Sequence, residues 1–129
     1  MDCEQYVVSF DATIEDALKK IEVNKTGTVF LIDLDRHVFG ALTDGDIRRA
    51  LLNGADLDAG AREYAITNYV FATTKTSREK ILKSLDHRIK ALPVIEENGK
   101  LLKVITRTTY PLEVEVNRYS SSKAPVRIS

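Results

Sequence analysis

The stretch Val38-Phe39-Gly40-Ala41-Leu42-Thr43-Asp44-Gly45-Asp46-Ile47-Arg48-Arg49-Ala50-Leu51 changes its periodicity at Thr43. Up to Leu42 it is a short apolar run of the kind that forms a strand. From Ile47 onward the apolar residues Ile47, Ala50 and Leu51 fall at helical spacing. A strand that feeds directly into a helix makes a small polar corner. Backbone N–H groups of the new helix end point outward there, with hydroxyl and carboxylate side chains beside them. Asn53-Gly54 ends this helix, glycine being suited to the left-handed conformation past a helix C-terminus.

Working back from the corner, residues 28–32 are β-branched and apolar, a buried strand. Residues 33–36 are the hairpin connection to a strand over 37–42. Before them, Thr13 followed by Asp16 opens a helix with a capping-box pattern. Ala17, Leu18 and Ile21 form its apolar stripe, and it ends near Asn24-Lys25. Residues 5–10 read as an extended lead-in segment. Working forward, residues 55–66 show no period and read as a loop or a short helical linker. Then the order repeats. Asn68-Tyr69-Val70-Phe71 is a strand, and Thr76 with Glu79 a capping box. Ile81, Leu82 and Leu85 form a helical stripe. Ala91-Leu92-Pro93-Val94-Ile95 is a strand, Asn98-Gly99 a hairpin turn, and residues 101–105 the returning strand. Thr43 and Thr106 stand 63 positions apart, as do Ile32 and Ile95, and the same spacing pairs Thr13 with Thr76. The chain is therefore a duplicated α+β unit, each copy reading β-α-β-β-α. The expected divisions are residues 1–62, 63–116 and a tail over 117–129. Pro111 and the alternating Leu112-Glu113-Val114-Glu115-Val116 leave the second copy's last helix short, shifted or absent.

Composition narrows the function. The 129 residues are 43% hydrophobic and 29% charged, ordinary for a soluble globular protein. Lys plus Arg balances Asp plus Glu at 19 each, so net charge argues for neither nucleic acid nor membrane as a partner. The single Cys3 excludes an internal disulfide and a multi-cysteine zinc site, and reads as a mobile free thiol near the N-terminus. His37 and His87 lack a Cys, Glu or His at ligand spacing, which argues against a metal centre. No apolar run approaches ~18 residues, and the N-terminus lacks a signal-peptide pattern, so the expected location is cytoplasmic. No Ser/His/Asp, Cys/His or Walker arrangement is present.

In its repeat and its corner the chain resembles a tandem pair of cystathionine-β-synthase (CBS) domains, a Bateman module, over roughly residues 5–115. Gly40-Ala41-Leu42-Thr43-Asp44-Gly45-Asp46 is similar to the family's Gly-apolar-apolar-Thr-x-x-Asp nucleotide corner. Leu92-Pro93-Val94-Ile95-Glu96 is similar to its apolar-Pro-Val-Val-Asp strand. Residues 42–51 are similar to modules on sugar-phosphate isomerases and sugar nucleotidyltransferases, and Val126-Arg127-Ile128-Ser129 faintly to the lead-in of sialic-acid-type synthases. The resemblance implies two pseudo-symmetric units with a cleft between them and no catalysis by the module itself. It implies a regulatory ligand such as AMP, ADP or ATP, or a related sugar nucleotide, with no required cofactor. It also implies pairing as a homodimer and control of an attached or partner catalytic domain.

Within that resemblance, Thr43 offers a hydroxyl to a phosphate and Asp46 an acceptor to two ribose hydroxyls. Asp44 and Asp46 suit the helix dipole but repel a phosphate, which would turn toward Arg48, Arg88 or Lys90. Apolar groups near Thr28 and Tyr69-Val70 would sandwich a base. The second corner keeps Thr106 but has Lys103 for the glycine and Thr109 for the aspartate, so the expectation is at most one well-formed site. Two readings of Thr43 and Asp46 stand side by side. The same residues make a sound helix cap with no ligand, and the module is then a dimerisation scaffold. A catalytic carboxylate pair at Asp44 and Asp46 is explained better by the helix dipole.

Overall fold

A computed structural model describes residues 3–85 and 89–107 of the chain. The stretch where the second copy's last helix is expected to be short, shifted or absent, the 117–129 tail, His87 and Arg88 lie outside the described residues. The elements run β1 Val7–Ser9, α1 Ile14–Asn24, β2 Thr28–Ile32, β3 Val38–Thr43, α2 Asp44–Leu52, β4 Ala72–Thr73, α3 Arg78–Ser84, β5 Ala91–Ile95 and β6 Leu101–Thr106. Two 3-10 turns, Glu4–Tyr6 and Ala61–Glu63, precede β1 and sit in the linker.

Each copy makes a three-stranded sheet, β1-β2-β3 and β4-β5-β6. The first two strands of each are parallel, joined through a helix, and the last two form an antiparallel hairpin. The hairpins carry equivalent irregularities, between Leu31 and Ile32 and between Val94 and Ile95. They also keep a left-handed turn residue at equivalent positions, Arg36 at φ 69° and Gly99 at φ 88°.

Helix α1 begins as its sequence predicts. Thr13 Oγ1 accepts from the Asp16 amide, and Asp16 Oδ2 accepts from the Thr13 amide, both at 3.1 Å. The equivalent start in the second copy is different. Ser77 caps α3, accepting from the Lys80 amide, while Thr76 Oγ1 accepts from the Thr73 amide and closes a turn. Thr13 thus corresponds to Ser77 and not to Thr76, and the second copy is one residue shorter between its helix cap and its central strand. The second lead-in strand is Ala72–Thr73, past the aromatic run over 68–71. Val70 and Phe71 are half-exposed, and Tyr69 instead packs under the sheets.

Three clusters form the core. One packs Ile14, Ala17 and Ile21 of α1 and Ile47 and Ala50 of α2 against Val29, Leu31 and Leu42. A smaller one packs Ile81 and Leu85 against Ala72, Leu92, Val94 and Ile105. The third joins the copies: Cys3, Val7, Phe30 and Ala41 meet Ala91, Ile95, Leu101 and Val104. Cys3 is therefore no mobile thiol. It is 5% exposed, with the Arg36 guanidinium 3.5 Å from its sulfur. At the tips of the hairpins His37 bridges to Lys100, and Leu101 N–H donates to the Arg36 carbonyl at 2.9 Å. His37 and Lys100 are equivalent positions of the two copies, so this bridge marks a pseudo-twofold axis.

Asn24, the last residue of α1, is a buried polar knot. Its amide donates to the carbonyls of Gln5 at 2.9 Å and Thr28 at 3.0 Å, and its oxygen accepts from the Thr26 amide and hydroxyl, each at 2.8 Å. It ties the N-terminal segment, the helix end and β2 together. Asn24→Ala leaves these groups unsatisfied, and we expect a loss of about 2–3 kcal/mol, since each orphaned buried group costs ~1–3 kcal/mol and water recovers part of it. Urea titration checks this; a loss under ~0.5 kcal/mol would show the knot to be dispensable.

Candidate functional site

The turn from β3 into α2 is made by the same reciprocal cap as α1. Thr43 Oγ1 accepts from the Asp46 amide and Asp46 Oδ2 from the Thr43 amide, both at 3.1 Å. The amide of Asp44 donates to the Gly27 carbonyl at 2.9 Å, which holds the start of α2 against the loop before β2. The strand register sets Thr28 directly opposite Thr43. Thr28, Thr43, Asp44 and Asp46 therefore form one corner, half-buried except for the exposed Asp44.

Both carboxylates of the corner are already paired with cations of their own helix. Asp46 Oδ1 takes Arg49 Nη2 at 2.6 Å, and Asp44 Oδ2 lies 3.9 Å from Arg48 Nη2. Arg49 was not among the residues singled out from the sequence. Its signal was the i,i+3 spacing from Asp46, which places the two on one helix face.

The linker between the copies runs along the outer edge of β3. Ala41 and Ile66 exchange backbone hydrogen bonds of 2.9 and 2.7 Å, and the Tyr69 hydroxyl donates to the Val38 carbonyl at 3.3 Å. Burial pushes the Tyr69 phenol above its usual range. Tyr69 thus sits at the Val38 end of β3, five residues from Thr43 and about 16 Å along the strand, and tilts against Phe71 with ring centroids 5.8 Å apart. Gly40 owes its identity to this linker. A Cβ there would lie 2.9 Å from the Ile66 carbonyl and 3.2 Å from the Ala65 Cβ.

Of the cations expected near a phosphate, Arg48 is on the corner helix. Lys90 is exposed just before β5, and Arg88 lies outside the described residues. In the second copy Thr106 pairs with Ala91, where the first copy pairs Thr43 with Thr28. Lys103 stands opposite Val94, the position that Gly40 holds opposite Leu31. Thr106 is 8% exposed, and Ala91 packs in the shared core, so this end of the second hairpin is drier than the first and lacks one hydroxyl. Thr109 lies outside the described residues.

Two other features lie away from the corner. Donor atoms of Asp33, Asp35 and His37 come within 4.8 Å of one another at the first hairpin tip. Asp33 is committed to that turn, accepting from the amides of His37 and Asp35 at 2.9 Å each, and the His37 amide is the main cause of its lowered pKa. An open groove of about 1120 Å³ runs between β1, α1 and the first hairpin, lined by residues of both charges including Asp16, Lys19, Lys20 and Arg36. Among the described residues, no helix is long and apolar enough to cross a membrane.

Comparison with known proteins finds the CBS domain family model matching residues 1–53 and 61–109. Over 98 residues the chain is 35% identical to arabinose 5-phosphate isomerase GutQ of Escherichia coli K12, covering 73% of this chain and 30% of that protein. The chain thus spans about a third of that relative's length. Among solved structures, the CBS domain protein PAE2072 from Pyrobaculum aerophilum, complexed with AMP, superposes with a TM-score of 0.67 at 20% identity over 86% of this chain and 89% of that one. CbpB in complex with c-di-AMP superposes with a TM-score of 0.69 at 14% identity over 91% and 82%. At these identities the likeness is one of fold.

Proposed function

The chain belongs to the CBS domain family as two repeats in tandem, and from that premise we propose that it is a regulatory module sensing one adenine nucleotide, or a related sugar nucleotide, at the Thr43–Asp46 corner. The single observation that carries this reading is the asymmetry of the two corners. The first copy joins Thr28, Thr43 and a half-buried Asp46 at a helix start, whereas the second has Ala91 opposite a buried Thr106. Thr43 would meet a phosphate and Asp46 the ribose, with Arg48 on the same helix and Lys90 and Arg88, which precede β5 in sequence, as the candidate cations; Tyr69, bonded to Val38 at the far end of β3, stands too far from this corner to cover the base. AMP and c-di-AMP in the two solved relatives support the ligand class.

Occupancy would shift a population between two relative settings of the repeats, because a ligand seated between them binds one setting better. The module would pass this to an attached or partner sugar-metabolising enzyme through a homodimer in the cytoplasm. The match to part of a sugar-phosphate isomerase supports that context. The functional units would be residues 1–62 and 63–116, followed by the 117–129 tail. The module itself would catalyse nothing and need no cofactor.

A second reading, a ligand-free dimerisation scaffold, is favoured by one observation: Thr43 and Asp46 already satisfy each other as a cap. Calorimetric titration with AMP, ADP, ATP and a CMP-sugar separates the two. At least one is expected to bind with a dissociation constant below about 1 mM, or −4.1 kcal/mol. A cooperatively folded protein that binds none would leave the scaffold reading standing.

A further inference from the structure

We propose that Asn53-Gly54 is a spontaneous modification site, at which the asparagine loses ammonia through a succinimide, while the fold shields the chain's other Asn-Gly pair, Asn98-Gly99. The chemistry needs no enzyme. The deprotonated amide nitrogen of the glycine attacks the side-chain carbonyl carbon of the asparagine before it. An N–Cγ bond forms, the Cγ–Nδ2 bond breaks, and Nδ2 leaves as ammonia with the proton that the amide gave up. Water then opens the ring at either carbonyl. One product is aspartate; the other is isoaspartate, with an extra methylene in the main chain. Nothing is oxidised or reduced. Glycine has no side chain to block the approach and bends the main chain easily.

The ring closes only when the main chain opens enough for the nitrogen to reach Cγ, so the cost of local opening decides which pair reacts. Asn53 and Gly54 are both exposed, and a Cβ on Gly54 would meet nothing within 4 Å. Among the described residues the Asn53 side chain has no hydrogen-bond partner. The Gly54 amide donates to the Leu51 carbonyl at 3.1 Å, a bond that goes when the last turn of α2 frays. Asn98-Gly99 is tied more firmly. The Gly99 amide donates to the Glu96 carbonyl at 2.8 Å, and Asn98 Oδ1 accepts from the Lys100 amide at 3.0 Å. Gly99 also packs under His37, whose Cδ2 lies 3.1 Å from where a Cβ would be, and Lys100 carries the bridge to the first repeat. Opening this turn disturbs the contact between the repeats, whereas opening at Gly54 frays one end of one helix. Either product at position 53 sets a carboxylate at the negative end of the α2 dipole. Ala55, just beyond, packs against the first core, so the modification loosens the far end of the helix that starts at the Thr43–Asp46 corner.

The test holds the full chain at mildly alkaline pH, native and in guanidinium chloride, and follows each asparagine over time by peptide mass spectrometry. In denaturant the two pairs should react at similar rates, since glycine follows both. In the native protein Asn53 should convert roughly tenfold faster than Asn98 or more, one tenfold step in the opening equilibrium. A native Asn53-to-Asn98 rate ratio no higher than the denatured one overturns the proposal. So does a native protein unchanged at Asn53 while the denatured chain reacts at both. Asn53→Asp supplies one product directly and should melt below the wild-type protein; an equal or higher melting temperature overturns the loosening of α2.

Discussion

Phe30→Ala should destabilise the protein by about 3–5 kcal/mol, the range for deleting a buried phenyl ring, and should also loosen the coupling between the two repeats. The ring is 2% exposed. The strand register places Val7, Phe30 and Ala41 side by side across the first sheet, so their side chains share one face. That face meets Ala91, Ile95, Leu101 and Val104 of the second copy. The cavity left by alanine therefore opens between the repeats. Ile14→Ala is the control, because Ile14 is fully buried wholly within the first repeat's core. Both variants should lower the melting temperature, but only Phe30→Ala should lower the ratio of van't Hoff to calorimetric enthalpy. Against a whole stability of roughly 5–15 kcal/mol, a Phe30→Ala cost under ~1 kcal/mol would show that the shared cluster does not hold the repeats together.

Asp46→Ala should weaken nucleotide binding at least tenfold, the equivalent of about 1.4 kcal/mol, while lowering stability by only ~1 kcal/mol through the lost cap. Asp16 supplies an internal standard. It closes the same reciprocal cap at α1 with the same 3.1 Å distances, and the Thr13 amide, the largest cause, holds its carboxyl below the usual range. Asp16→Ala should therefore reproduce the stability loss and leave affinity unchanged. Asp46→Asn refines the comparison, since its amide oxygen still accepts from the Thr43 amide but its charge is gone. Stability should stay close to wild type and affinity should fall. If Asp46→Ala and Asp16→Ala behave alike in both measurements, the carboxylate at 46 is a cap and nothing more.

What was legible in the sequence was local. The caps at Thr13 and Thr43, the β-branched run over 28–32, the Asn98-Gly99 turn and the strand-to-helix switch at Thr43 each depend on residues within a turn or two of one another. They carried the repeat, and with it the fold. What failed to show depends on partners distant in sequence or on near-equivalent local choices. Thr76 and Ser77 are adjacent hydroxyls, and only the turn back to Thr73 decides which of them caps the helix. The burial of Cys3 comes from a core shared with the second copy. Gly40 opens the motif that resembles a nucleotide corner, and its close approach to a linker carbonyl has no local signal. Asn24 looked like a helix end because its partners at Gln5 and Thr28 come together only once the strands have paired.

The bridge between His37 and Lys100 has one more consequence. A contact between equivalent positions is isologous, the kind that two separate single-repeat chains would make across a dyad. Joining them head to tail turns a bimolecular encounter into an intramolecular one, at an effective concentration in the millimolar range for a short flexible connection. Such tethering lets a modest interface hold two halves that would dissociate as free partners at lower concentrations. It also releases the two halves from having to be identical. The two corners can then differ, the second carrying Ala91 and Lys103 while the first has its hydroxyls and carboxylate.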